Sequence, residues 1–73
     1  MNALELILAE RKRQDELWGK SGHSTGYWIQ IIAEEFGEVA RASLHQDDEK
    51  IEYELTHLAA VCLAALQDIK GEV

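Results

Sequence analysis

The sequence predicts an all-α fold of three helices. The chain has no proline among its 73 residues and is 47% apolar, and its apolar positions recur at three- and four-residue spacing along most of its length. A chain this short buries only about 60% of its unfolded surface, so it forms at most one domain, residues 1–73, with a marginal core. We therefore expect it to associate with copies of itself.

The first predicted helix spans residues 4 to 17 or 18. Glu10 can pair with Arg13 or Gln14 across one turn of this helix. The basic cluster at residues 11–13 is a solvated face or, alternatively, a phosphate contact. One face of the helix, at helical spacing, carries mostly apolar residues together with one arginine, and the other faces are charged: Leu4, Ile7, Leu8, Arg11 and Trp18.

The segment of residues 19–26 is rich in glycine and predicts a loop. It is not a phosphate-binding P-loop, because no strand precedes it and it has no lysine and serine or threonine pair at the place that the motif requires. Trp18 and Trp28 flank the segment. These rings either stack on a base or anchor the loop on the core.

The second helix is predicted over residues 25–44, after an N-cap at Ser24 or Thr25, and the third over residues 49–70. We expect these two helices to form an antiparallel pair. The run at residues 47–49 supplies an N-cap and first-turn acids, and Gly71 is the predicted C-cap. Small residues predict a packing seam on the third helix: Ala59, Ala60, Ala64 and Ala65.

Charge restricts the partners. The formal net charge of −7 repels a phosphate backbone, so we expect no nucleic acid polymer as a partner. A small anionic substrate can still bind if a divalent cation accompanies it. The longest apolar run is too short to cross a bilayer, no signal peptide is evident, and the single Cys62 fits a reducing compartment. We expect a cytoplasmic protein without membrane contact.

The third helix carries a carboxylate where an aliphatic side chain is expected. In projection at about 100° per residue, Glu54 falls inside the apolar arc centred on Ile51, and His57 lies at its edge one turn later. A buried carboxylate without a partner costs several kcal/mol, roughly, so something must compensate it. Arg11 or Arg13 could do so in a salt bridge, and His57 could equally be a surface histidine.

The second helix repeats this pattern. Glu35 lies within the arc centred on Ile32, Glu38 lies near its edge, and Glu34 points further out. Residues three apart are neighbours on a helix, so Glu35 and Glu38 can face Glu54 and His57 across a helix pair. The predicted metal ligands are these four side chains.

Two short segments resemble a known family signature. MazG-like all-α nucleoside triphosphate pyrophosphohydrolases carry Glu-x-x-Glu on one helix and Glu-x-x-Asp on the next. Residues 35–38, Glu-Phe-Gly-Glu, match the first half, and Glu34 matches the acid that often precedes it. Residues 54–57, Glu-Leu-Thr-His, occupy the place of the second half. Residues 13–19 and His23 also look like short phage-type and bacterial members, so the resemblance covers nearly the whole chain.

The resemblance implies hydrolysis between the α and β phosphates of a (deoxy)nucleoside triphosphate, giving a monophosphate and pyrophosphate. It implies Mg²⁺ held by Glu35, Glu38 and Glu54, with Glu34 positioning or deprotonating the attacking water. Glu34, Glu35 and Glu38 are thus the predicted catalytic residues. It also implies dimers or tetramers, in which two chains complete four-helix bundles. Phosphoribosyl-ATP pyrophosphohydrolase, which shares the fold and reaction, leaves a second substrate class open.

His57 stands where the family usually has aspartate. A neutral imidazole removes one negative charge and favours softer ions such as Mn²⁺, Ni²⁺ or Zn²⁺. Alternatively, His57 binds the ion through water, or the site is degenerate and the chain is an inactive helical oligomer that acts as a binding or regulatory module.

The predicted substrate contacts combine aromatic rings with cationic side chains. The cationic side chains are predicted from their charge alone, because positive charge would offset the remaining negative charge of the phosphates. The set is Trp18, Lys20, His23, Trp28, Arg41 and Lys50.

Overall fold

A computed structural model describes residues 1–19 and 22–72, which form three helices and, within those ranges, no strand. Helix α1 spans Ala3–Trp18, α2 spans Thr25–Leu44 and α3 spans Asp48–Ile69. The all-α prediction is confirmed, and each predicted helix boundary lies within one residue of the observed one. Lys20, a predicted substrate contact, lies outside the described residues.

Side-chain caps fix where each helix begins. The Asn2 side chain accepts a hydrogen bond from the backbone N–H of Glu5 at 2.9 Å, and the Glu5 carboxylate accepts one from the backbone of Asn2 at 2.9 Å. This capping box satisfies two donors that a helix start leaves free. Ser24 and Asp47 cap α2 and α3 through single bonds of the same kind.

Left-handed glycines end α1 and follow the end of α3. Gly19 has φ 75° and Gly71 has φ 76°, a region that costs glycine little because it has no Cβ. The predicted C-cap is one residue late: Lys70 is the C-cap, keeps right-handed torsion angles and donates its N–H to the carbonyl of Leu66 at 2.9 Å. The chain leaves the helical path only at Gly71.

Helix α3 is the centre of the molecule. Both α1 and α2 pack against it, whereas no Cα atoms of α1 and α2 in the described ranges come within 8 Å of each other. The predicted alanine seam supports this packing, because Ala60, Ala64 and Ala65 are buried and Ala59 is half-buried. Two helices standing apart on a third leave a groove between them.

The core is thin and unlike the predicted apolar arcs. None of the described large side chains is fully buried. On α1 the buried residues are Glu10 and Gln14, whereas Leu4, Leu8 and Trp18 are exposed. Helix α1 therefore contributes polar side chains to the interior, because it has only one neighbouring helix and Glu10 and Gln14 face it. No helix in the described ranges combines the length and apolarity needed to cross a bilayer.

Candidate metal centre and adjoining groove

Three of the four predicted metal ligands meet between α2 and α3. One ligand atom from each of Glu35, Glu54 and His57 lies within 4.8 Å of the other two. Glu54 is buried, and Glu35 and His57 are half-buried. Mg²⁺ takes oxygen ligands at about 2.1 Å, so oxygens on one ion lie roughly 3 to 4 Å apart. The three side chains therefore need only small movements to hold one cation.

The two carboxylates of this group lie close together. Burial is the largest cause that raises the pKa of Glu35, and the Glu54, Glu38 and Glu34 carboxylates raise it further, while His57 acts in the opposite direction. Each cause that raises the pKa makes the ionised form of Glu35 less favourable. A divalent cation reverses that balance, because it attracts both carboxylates.

The alternative salt bridge to Glu54 does not form. The guanidinium of Arg11 contacts Gln14 at 3.2 Å and Asp15 at 2.7 Å, and that of Arg13 pairs with Glu10. Across residues 1–19 and 22–72 the Glu54 carboxylate makes no hydrogen bond and no ion pair, although only 7% of the residue is exposed. Its remaining charged neighbours are the other members of the group.

His57 is fixed by α1. Its Nε2 atom lies 3.3 Å from Oε2 of Glu10 and 3.4 Å from a terminal nitrogen of Arg13, and its ring packs on Tyr53 at a centroid distance of 4.3 Å. A histidine that binds a metal through one ring nitrogen usually contacts a carboxylate or carbonyl through the other. Since Nε2 already faces α1, Nδ1 is the nitrogen left for an ion.

Glu10 was missed as part of the site. Sequence reasoning paired it with Arg13 or Gln14, and both contacts are present: Arg13 binds its two oxygens at 2.8 Å each, and Gln14 donates to Oε2 at 3.0 Å. The Arg13 hydrogen bond is the main reason that the pKa of Glu10 is lowered. The contact between Glu10 and His57 joins residues 47 positions apart on two different helices, and helical periodicity within one segment does not reveal such a contact.

The other two predicted acids, Glu34 and Glu38, lie outside the group that Glu35, Glu54 and His57 form. Glu38 is exposed and pairs with Arg41 at 3.0 Å, so its carboxylate does not belong to the group that Glu35, Glu54 and His57 form. It still lies near enough to raise the pKa of Glu35. Glu34 is exposed and lines the groove between α1 and α2.

The groove between α1 and α2 has a volume of about 830 Å³, with Val61 and Ala64 of α3 among its lining residues. Three of the predicted substrate contacts line it, namely Trp18, His23 and Trp28. Glu35 lines the same groove. Because Trp28 and Glu35 are seven residues apart on α2, the aromatic end lies about 10 Å from the carboxylates. Of the three-residue group, Glu35 thus borders the same space as the aromatic rings, whereas His57 lines a separate pocket beside Glu10 and Tyr53.

Asp68 near the end of α3 holds the aromatic end together. Its Oδ2 atom accepts hydrogen bonds from the Trp28 indole at 2.6 Å and from the backbone of His23 at 2.9 Å. The His23 ring meets Tyr27 and Trp28 edge-on at 4.8 Å each. Trp28 is thus an anchor, whereas Trp18 is 67% exposed. Sequence analysis missed Asp68, whose only signal was an acid close to the apolar end of α3.

The cations that line the groove differ from those predicted. Arg11 and Lys12 of α1 line it, and within the described part of the chain Arg41 and Lys50 do not. The Nε atom of Arg11 is buried and, among the described residues, has no hydrogen-bond partner. Two of the three basic residues at positions 11–13 therefore line the groove. A phosphate contact by this cluster needs such a position.

Comparison with known proteins gave no match to a family model, to a curated protein or to a solved structure.

Proposed function

We propose that the chain is a metal-dependent nucleotide pyrophosphohydrolase, which cleaves a (deoxy)nucleoside triphosphate between its α and β phosphates. The observation that carries this proposal is the convergence of Glu35, Glu54 and His57 beside a groove that also contains aromatic rings. A nucleotide needs both features, because its phosphates require a cation in so acidic a chain and its base offers a flat surface for stacking.

In this proposal Glu35, Glu54 and Nδ1 of His57 hold Mg²⁺ or Mn²⁺, and Glu10 orients the histidine. Glu38 joins them only if it leaves Arg41. A bound divalent ion would bridge phosphate oxygens and stabilise the charge that develops on them. The mixed carboxylate and imidazole set tolerates Mn²⁺ as well as Mg²⁺.

The other residues of the groove bind and orient the substrate. Glu34 is the acid best placed to accept a proton from the attacking water, because it is exposed to the groove and forms no part of the three-residue group. Trp18 stacks on the base, and Arg11 and Lys12 attract the phosphates. In the described ranges, Arg41 and Lys50 do not line the groove. We therefore propose Arg11 and Lys12 as the phosphate contacts in their place.

The proposed site requires α2 and α3 to run antiparallel. Two contacts support this arrangement: Trp28 at the start of α2 bonds to Asp68 near the end of α3, and Glu35 further along α2 meets Glu54 near the start of α3. The reducing cytoplasm remains the proposed location, since nucleotides and Mg²⁺ are present there and Cys62 is a free thiol.

A second candidate function is a catalytically inactive binding or regulatory module. The pairing of Glu38 with Arg41 favours it, since one predicted ligand is thereby turned away from the others. The two candidates differ in turnover and not in fold.

The test measures pyrophosphate release from a panel of ribo- and deoxyribonucleoside triphosphates, each with Mg²⁺ and with Mn²⁺. We expect release from at least one nucleotide, its loss on chelation and in Glu54→Gln, and its retention in Glu52→Gln, an exposed acid on the same helix. Glu38→Ala abolishes release if Glu38 joins the site during turnover. Absence of release across the whole panel would reject the enzyme and leave the binding module.

A further inference from the structure

We propose that Gln14 is a positioning residue of the metal centre, which links the phosphate contact Arg11 to His57 through an unbroken chain of hydrogen bonds. This inference rests on the proposed function, because it gives Gln14 a part in binding both the metal ion and the phosphates. The chain, here called the relay, runs from α1 to α3. Its members are Arg11, Gln14, Glu10 and His57.

The relay consists of direct contacts. A terminal nitrogen of Arg11 donates to Oε1 of Gln14 at 3.2 Å, and Nε2 of Gln14 donates to Oε2 of Glu10 at 3.0 Å. The same Oε2 atom lies 3.3 Å from Nε2 of His57. At these distances no link needs a bridging water, so a shift of one side chain acts directly on the next.

The middle of the relay is buried, and its ends open to different spaces. Gln14 is 4% exposed and Glu10 is 9% exposed, so water does not replace the amide of Gln14 as a partner of the carboxylate. Arg11 lines the groove, whereas His57 lines the separate pocket beside Tyr53. The relay therefore reaches through the protein from one space to the other.

The two neighbours of Gln14 determine which way its amide points. A guanidinium only donates hydrogen bonds and a carboxylate only accepts them. The oxygen of the amide must therefore face Arg11 and its nitrogen must face Glu10, because the reverse orientation would set like groups against each other at both ends. A methionine of similar length keeps the packing and offers no donor to Glu10.

Two contacts compete for Nε2 of His57. The Glu10 carboxylate at 3.3 Å requires a proton on Nε2, whereas Arg13 at 3.4 Å is itself a donor and requires Nε2 without a proton. The first arrangement leaves Nδ1 free for a metal ion, and the second places the proton on Nδ1. Because the two distances are nearly equal, the position of the Glu10 oxygen decides between them. Gln14 holds that oxygen.

The guanidinium of Arg11 connects the relay to the phosphates. Its other terminal nitrogen pairs with Asp15 at 2.7 Å, and the Arg11 side chain is only 15% exposed. A metal ion on His57 that orders Glu10 and Gln14 also orders this guanidinium, which reduces the entropy lost when a phosphate binds it. Such coupling is reciprocal, so Arg11 in turn strengthens the metal centre.

Binding of Mn²⁺ alone, followed by electron paramagnetic resonance, tests the relay in the wild type, Gln14→Met and Arg11→Met. We expect both variants to bind Mn²⁺ about fivefold or more weakly, although neither change removes a ligand. Charge alone predicts the opposite for Arg11→Met, because the loss of a nearby cation favours the binding of another. The matched controls, Gln67→Met and Lys12→Met, change a half-buried glutamine and a cation that line the groove outside the relay. Neither control should weaken Mn²⁺ binding.

The tautomer of His57 in the metal-free protein is the second readout. Nitrogen NMR of labelled protein at alkaline pH shows which ring nitrogen carries the proton. We expect Nε2 to carry most of it in the wild type and in Gln67→Met, and Nδ1 to carry a larger fraction in Gln14→Met. A contribution of Gln14 to folding stability alone would leave this ratio unchanged.

The outcomes separate this inference from the proposed function. Equal Mn²⁺ affinity, or an equal tautomer ratio, in Gln14→Met and Gln67→Met would overturn the relay and leave the proposed function standing. Unchanged or tighter Mn²⁺ binding in Arg11→Met would do the same, and this variant carries the test if circular dichroism shows that Gln14→Met loses its helices. No specific Mn²⁺ binding by the wild type would overturn the proposed function and this inference together.

Discussion

The Nε2 atom of His57 lies 3.3 Å from Oε2 of Glu10, so a carboxylate of α1 contacts the histidine that α3 contributes to the candidate metal group. The family that the sequence resembles usually has aspartate at the position of His57. Here Glu10 brings a carboxylate next to that position from another helix. The contact joins α1 to the site and explains why the polar side of α1 is its buried side.

Replacement of Glu10 by alanine should destabilise the fold. The substitution removes the hydrogen-bond partner of Arg13, Gln14 and His57 in a partly buried network, and the expected loss in free energy of unfolding is about 1–2 kcal/mol. Urea denaturation measures it. The control Glu16→Ala removes an exposed acid of α1 and should change stability by no more than about 0.5 kcal/mol. Equal effects of the two substitutions would mean that the network does not hold α1 on α3.

Replacement of Glu54 by glutamine should stabilise the protein in the absence of divalent ions. The change keeps the side-chain shape and removes the repulsion between two carboxylates, which for unit charges about 4 Å apart in a high dielectric is about 1 kcal/mol. Denaturation in the presence of a chelator measures the gain. Glu52→Gln, at an exposed position of α3, should give no comparable gain. A loss of stability in Glu54→Gln would show that Glu54 has a favourable partner.

Asp68 should make stability depend on pH at the acidic end. The Trp28 hydrogen bond, followed by the His23 backbone bond, lowers the pKa of Asp68 below its ordinary value of 3.8. A lowered folded-state pKa adds stability that is fully present above the unfolded value and is lost as pH falls through the folded value. The difference in unfolding free energy between wild type and Asp68→Asn should therefore be constant above pH 5, roughly one unit above the ordinary value, and shrink below it. A difference that stays constant into the acidic range would contradict this role.

Trp18 should contribute more to nucleotide affinity than its neighbour Leu17. Trp18 lines the groove and is mostly exposed, and stacking of a base on an aromatic ring contributes about 1–3 kcal/mol. Trp18→Ala should weaken nucleotide binding at least tenfold in the presence of Mg²⁺, which calorimetry can measure. Leu17 is 59% exposed and does not line the groove, and Leu17→Ala should bind normally. Similar affinities in the two variants would place the base elsewhere.

The sequence was sufficient to predict what lies within one helix. Caps at Ser24 and Asp47 and the helix bounds follow from local hydrogen bonding, and Glu35 and Glu54 stood out as acids inside apolar arcs. Contacts between helices were beyond such reasoning. Periodicity identifies an apolar arc, but it cannot say which half of the arc the chain itself covers, and Phe36, one turn from Ile32, is 61% exposed.

The same limit applies to the site. Glu10 and Asp68 make their contacts across 40 to 47 residues of chain and only after the three helices have packed. Both are polar residues whose local pattern resembles that of ordinary surface acids. Glu38 shows the converse, since its local pattern fits a metal ligand and its side chain pairs with Arg41 instead.

Manganese binding tests the central claim most directly, because it asks whether Glu35, Glu54 and His57 hold a divalent ion at all. Electron paramagnetic resonance counts free Mn²⁺ during a titration of the wild type, of Glu54→Gln and of Glu52→Gln. We predict one ion bound per chain in the wild type and in Glu52→Gln, with an affinity at least tenfold lower in Glu54→Gln, as ligand-sphere substitutions usually cause. Equal binding by Glu54→Gln and Glu52→Gln, or no specific binding by the wild type, would contradict the account.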